Sequence, residues 1–122
     1  MKFVIDIQPV TKKNHPIITR SGGYPKLLPS KQYTQYLKDC AVFIPKGEPI
    51  RTPVNVKAVF YMQTRRRCDL VNLLQALDDI LVHYGVIEDD NYKIVASHDG
   101  SRVCYDKEHP RTEVEIKEAH NV

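Results

Sequence analysis

The sequence predicts an α+β fold on three observations. Apolar and polar residues alternate with period two over Val54–Met62, and again over Thr112–Lys117. Between them, Leu70, Leu73, Leu74, Leu77, Ile80, Leu81 and Tyr84 recur at helical spacing. At 122 residues the chain suits one compact domain, spanning residues 1–122.

Each element follows from local pattern. Lys2–Gln8 alternates Phe3, Ile5 and Ile7 against Val4 and Asp6, which predicts a strand that Pro9 ends. Residues 9–29 hold four prolines, with Gly22-Gly23 in the middle. Ile17–Thr19 and Tyr24–Leu28 have the makings of a loose hairpin about those glycines, but the stretch reads foremost as an ordered basic loop carrying Lys12, Lys13, Arg20 and Lys26. Ser30 is the expected N-cap of a first helix through Tyr33, Tyr36, Leu37, Cys40 and Ala41, ending before Pro45. Val54–Met62 is the strongest strand signal. The Leu70–Tyr84 stripe covers roughly 120° of a second helix, with Asn72, Gln75, Asp79 and His83 on the opposite side and Gly85 just past its end. Lys93–Ser97 predicts a short strand, His98–Ser101 a turn, and Thr112–Lys117 the last strand.

Composition narrows the function classes. A hydrophobic fraction of 42% and a charged fraction of 27% are those of a globular domain. No apolar run approaches the ~18 residues of a membrane span. The start meets Asp6 after three apolar residues and does not read as a secretory leader, so the cytoplasm is the expected compartment. Three separated cysteines without a Cys-x-x-Cys pair predict reduced thiols rather than a thiolate zinc site. Net charge is +3, unevenly spread. Residues 1–67 carry 13 Lys and Arg against 3 Asp and Glu, whereas residues 68–122 carry 5 against 12. A basic half followed by an acidic half points toward nucleic acid, and equally toward a phosphate cradle beside a carboxylate metal site.

The chemistry concentrates between Arg65 and Asp90. Arg65, Arg66 and Arg67 follow the central strand, and with Lys12 and Lys13 they are the candidate phosphate-binding residues. Asp69 stands at the strand-to-helix junction. A helix of ~22 Å separates it from Glu88-Asp89-Asp90, but a chain doubling back after Gly85 can return Asp89 or Asp90 toward it. Converged carboxylates would raise one another's pKa, and a hard divalent cation such as Mg²⁺ would relieve the repulsion. Plainer readings stay open. Asp69 can be simply the N-cap of the helix, with Asn72 at its third position. Residues 88–91 can be a solvated turn, and the arginines a surface run. No strand carries the aromatic pattern of an RNA-recognition sheet.

Arg67–Leu81 followed by Gly85–Asp90 resembles the RusA family of Holliday junction resolvases. That family's pattern is Asp-x-Asp-Asn-x-x-Lys, then Asp-x-Leu, then a Gly-hydrophobic pair before Asp-Asp. Asp69 matches its first carboxylate, Asn72 its Asn, Asp79 its helix carboxylate and Asp89-Asp90 its terminal pair. Lys13-Asn14 after Pro9 resembles the N-terminal signature more weakly. The resemblance implies a mixed sheet with two main helices. It also implies a homodimeric, Mg²⁺-dependent endodeoxyribonuclease that nicks four-way DNA junctions symmetrically, in recombination and repair and often in a phage setting. It further implies Asp69, Asn72, Asp89 and Asp90 as catalytic residues and Asp69, Asp79 and Asp90 as Mg²⁺ ligands. Two positions depart from the pattern: Val71 replaces the second Asp and Gln75 the Lys. They leave open a branched-DNA-binding protein that cuts weakly or not at all.

Overall fold

The computed structural model of the protein describes residues 1–12, 17–21, 24–28 and 30–120. Its elements run β1 (Lys2–Ile5), β2 (Ile17–Ser21), β3 (Tyr24–Leu28), α1 (Lys31–Cys40), β4 (Val54–Met62), α2 (Leu70–His83), β5 (Val95–Ser97), β6 (Arg102–Tyr105) and β7 (Arg111–Glu118). A short 3-10 turn at Ala41–Phe43 follows α1. The architecture is α+β with a mixed five-stranded sheet and two helices, as predicted.

β4 is the hub of the sheet. β7 pairs antiparallel along one edge of it and is paired in turn by β1. β5 and β6 share its other edge, both parallel to it. In the rows across β1, β7 and β4, Ile5–Thr112–Phe60 and Phe3–Val114–Ala58 face the core. The alternate row Lys2–Glu115–Lys57 is charged, with a Lys2–Glu115 ion pair of 3.7 Å. That alternation is the period two of the sequence made physical.

α2 contributes Leu73, Leu77, Ile80 and Leu81 to the same core as Val56, Ala58 and Phe60 of β4. It ends where Gly85 adopts φ +72, a left-handed conformation in which a side chain would be strained. α1 begins as expected: the Ser30 Oγ accepts the Tyr33 N–H at 3.1 Å. It buries Tyr33, Tyr36 and Cys40, and burial raises the Cys40 thiol to about 11.

The structure corrects the sequence reading in three places. β1 stops at Ile5 rather than Gln8, because the Ile7 N–H turns back onto the Ile5 carbonyl at 2.9 Å. The basic loop contains a true antiparallel hairpin, β2–β3, with Ser21 opposite Tyr24. β6 was not anticipated: Arg102, Val103 and Tyr105 are all exposed, so an edge strand leaves no alternation to read.

The turn joining β5 to β6 is clamped from two sides. Asn55 Oδ1 accepts the Asp99 N–H at 2.7 Å, and Asn55 Nδ2 donates to the Asp99 carbonyl. From α2, buried Asp78 places Oδ2 2.9 Å from His98 Nε2. The hydrogen bond to Asp78 raises the His98 pKa above its ordinary value, against the opposing effect of burial. A raised folded-state pKa stabilises the protein below the unfolded value of about 6.5, and that stability fades as pH climbs through the folded value. The melting temperature of the wild type should therefore fall more between about pH 6 and about pH 8.5 than that of His98→Gln. Parallel curves from thermal scans of the two proteins would exclude the pair as the cause.

Candidate functional site

The C-terminal end of β4 delivers the chain into an open cleft of about 800 Å³. Its walls are the segment after β1 (Gln8, Pro9, Thr11), Gln32 of α1, residues 62–64 and 66–68, and the first turn of α2 with Asp69 and Asn72. The segment after β4 is anchored at both sides. Gln63 N–H donates to Gln8 Oε1 at 2.7 Å, and Asp106 N–H donates to the Met62 carbonyl at 2.9 Å.

The three arginines divide. Arg66 and Arg67 line the cleft. Arg65 lies over the Tyr105 ring at 4.2 Å, a cation–π contact that holds it to β6. Among the described residues none of the three joins an ion pair, whereas Arg111 bonds both Asp106 and Glu113 and stacks on Tyr61. Arg66 and Arg67 are therefore cations with charge to offer an external phosphate.

Asp69 occupies the backbone position of an N-cap, but its side chain makes no capping bond. Its Oδ2 instead accepts Asn72 Nδ2 at 3.3 Å, and the residue is exposed. The simple-cap reading thus holds for the main chain and fails for the carboxylate. The positive end of the α2 dipole lies under it and favours an anion at this spot.

Asp89 and Asp90 sit beyond the far end of the helix. Asp89 Oδ1 accepts the Asp90 N–H and Oδ2 accepts Asn91 Nδ2, both at 2.8 Å. The Asp90 N–H, then the Asn91 amide, hold its carboxyl below the usual range. Asp89 therefore builds the turn. Asp90 is raised above the usual carboxylate range by desolvation, then by the charge of Asp79, then by Asp89. Asp79 in turn bonds Lys12, whose Nζ lies 2.7 Å from Oδ2.

Asp69 and Asp79 thus stand at two separate stations on α2. Asp79 lies ten residues beyond Asp69, about 15 Å along the helix axis, and the charges acting on Asp90 are those of Asp79 and Asp89. Among the described residues no three His, Cys, Asp or Glu side chains gather closely enough to hold a metal. After Gly85 the chain runs beside Ile50, with Ile87 bridged to it, and then into β5 at the N-terminal end of β4. Mg²⁺ takes one or two carboxylates and completes its shell with water and phosphate oxygens, so single carboxylates such as these suit it.

Lys12 faces Asp79, and Lys13 and Asn14 lie outside the described residues. Val71 is 74% exposed and brings no oxygen to Asp69. Sequence reasoning missed the Asp78–His98 pair, the Tyr105 platform and the exposed Cys68 in the cleft. The one available signal was the Asp78-Asp79 doublet, since adjacent helical residues point about 100° apart and cannot share a partner.

No helix among the described residues is long and apolar enough to cross a membrane. No curated protein matches the chain. The family model described as endodeoxyribonuclease RusA matches residues 6–117, nearly the whole chain and both carboxylate stations. The chain belongs to the RusA endodeoxyribonuclease family.

Proposed function

We propose that the protein is a divalent-metal-dependent endonuclease that resolves four-way DNA junctions by paired nicks, in recombination and repair. The observation that carries this reading is the cleft at the start of α2. There a carboxylate that makes no capping bond, Asp69, lines the cleft together with two arginines that join no ion pair among the described residues. In this reading Arg66 and Arg67 bind backbone phosphates and fix the register of the DNA. Asp69 takes the proton of the attacking water, and Asn72 orients the Asp69 carboxylate through its amide. The Mg²⁺ ligands would be drawn from Asp69, Asp79 and Asp90, and the ion would supply charge neutralisation at phosphoryl oxygens. Asp89 keeps the turn that presents Asp90.

A second reading has its own support. Val71 and Gln75 are exposed on α2 and leave Asp69 the only carboxylate of the cleft wall among the described residues. That arrangement suits a protein that binds branched DNA and cuts it slowly or not at all.

A synthetic four-way junction, incubated with and without Mg²⁺, separates the two. Symmetric nicks that need the metal support resolution. Full binding without nicks under all conditions supports the second reading. Asp69→Asn should lose at least about a hundredfold in nicking rate, the scale of one general base, while binding the junction as well or better. Binding lost with the fold intact would count against the role given to Asp69.

Junction affinity should fall steeply with salt, because each neutralised phosphate releases counterions. Replacing Arg66 and Arg67 by Gln should reduce the slope of log affinity against log salt by about 1.8. An unchanged slope in gel-shift titrations would remove both arginines from the interface.

A two-fold junction calls for two sites related by a dyad, and we read the protein as a cytoplasmic homodimer. The exposed Val71 is a side chain the core does not use. Sedimentation at micromolar concentration should give twice the chain mass of 14.1 kDa. A strict monomer, alone and on junction DNA, would rule out paired nicking by one assembly.

A further inference from the structure

Arg65 is set apart from the two arginines that follow it. Arg66 and Arg67 line the cleft, whereas the Arg65 guanidinium carbon lies over the Tyr105 ring, 4.2 Å from its centre. Tyr105 ends β6 beside Met62, the last residue of β4. Residues side by side on neighbouring strands project from one face of a sheet. Met62 packs against the core and lines the cleft, so Tyr105 extends the cleft floor past it. The bond from the Asp106 N–H to the Met62 carbonyl ties the two strand ends together. The ring is spare to the core: Tyr105 is 41% exposed, and Val103, two residues back on the same face, is exposed as well. Arg65 is itself exposed, and it is the ring rather than a carboxylate that holds it among the described residues. A guanidinium resting on a ring covers it with one face and turns the other to solvent.

We propose that Arg65, backed by Tyr105, is a stacking platform for a nucleobase at the branch of a DNA junction, while Arg66 takes a phosphate of the same nucleotide. This rests on the reading of the protein as one that engages branched DNA. Consecutive residues stand 3.8 Å apart at Cα, close enough for their side chains to share one nucleotide. Inside a duplex both faces of every base are already stacked. At a branch the flanking bases lose a neighbour on one side and offer a free face. An arginine plane accepts such a face whatever the base, so the contact recognises the branch and not a sequence. Lysine cannot replace it, being a point charge without a plane. Tyr105 does not touch the DNA in this arrangement; it is a positioning residue for Arg65.

The test is junction affinity by gel shift in metal-free buffer, on three four-way junctions. The first is intact, the second is abasic at one nucleotide of each strand beside the branch, and the third carries the same abasic sites far out in the arms. Wild type should bind the intact junction at least about fivefold more tightly than the branch-abasic one, the scale of one stacked base, and the third like the first. Tyr105→Phe should keep this discrimination. Arg65→Lys and Tyr105→Leu should lose it and bind all three junctions alike, with the salt slope of Arg65→Lys unchanged because its charge is kept. Wild-type binding that ignores the branch-abasic sites overturns the platform and leaves the branched-DNA reading standing. Discrimination retained by Arg65→Lys makes the residue a simple charge and overturns the stack. Discrimination retained by Tyr105→Leu overturns the role of the ring, and a changed sedimenting mass in that variant would assign the exposed patch to a protein contact instead. No junction binding by wild type overturns the branched-DNA reading and the platform together.

Discussion

The contact between the apolar stripe of α2 and the inward residues of β4 constrains every other part of the molecule. Leu73, Leu77, Ile80 and Leu81 share one core with Val56, Ala58 and Phe60. Each such side chain contributes about 1.5–3 kcal/mol on burial, so the rotation of α2 about its own axis is fixed. That rotation decides where each acid goes. Asp78 reaches the β5–β6 turn and His98, while its neighbour Asp79 reaches Lys12. Turning the helix by one residue, about 100°, would carry Asp79 into the place of Asp78 and break both contacts. The chemistry of the surface is thus set by the packing of the core.

The charge asymmetry of the chain takes on meaning in the same frame. Three cations of the basic first half pair with the acidic second half: Lys12 with Asp79, Arg51 with Glu88, Lys2 with Glu115. These pairs tie distant parts of the chain together at modest energetic gain. Arg66 and Arg67, at the mouth of the cleft, stand outside this internal neutralisation among the described residues. Composition alone displays the imbalance, but only the pairing shows which cations remain for a ligand.

Periodic elements were legible in the sequence and contact-dependent ones were not. α2, β4 and β7 appear within a residue or two of their predicted bounds because their patterns record one-sided burial. β6 lacks that record, being exposed at three of four positions. In the site, the position of Asp69 at a strand-to-helix junction was readable, as was its link to Asn72. Its release from capping was not, since that depends on a side-chain rotation that no spacing encodes. The route of the chain after Gly85 escaped for a related reason. A flexible chain has length enough to return, and only the Ile50–Ile87 bridge and the pairing of β5 with β4 dictate the route it takes.

The pairing of β1 with β7 sets when this protein can complete its sheet. Lys2 lies opposite Glu115, and Ile5 opposite Thr112, so among the described strands β1 is bonded by β7 alone, the latest of them in chain order. Non-local pairing of this kind is slow, because the entropy of closing the loop is spent before the contacts form. On the ribosome, β1 emerges first and waits through the synthesis of the whole intervening chain. During that interval Ile5, fully buried in the finished protein, has no native partner. The nascent chain therefore carries an apolar strand that invites chaperone capture, and the cleft behind β4, whose wall includes the segment after β1, closes only after translation has passed Glu118.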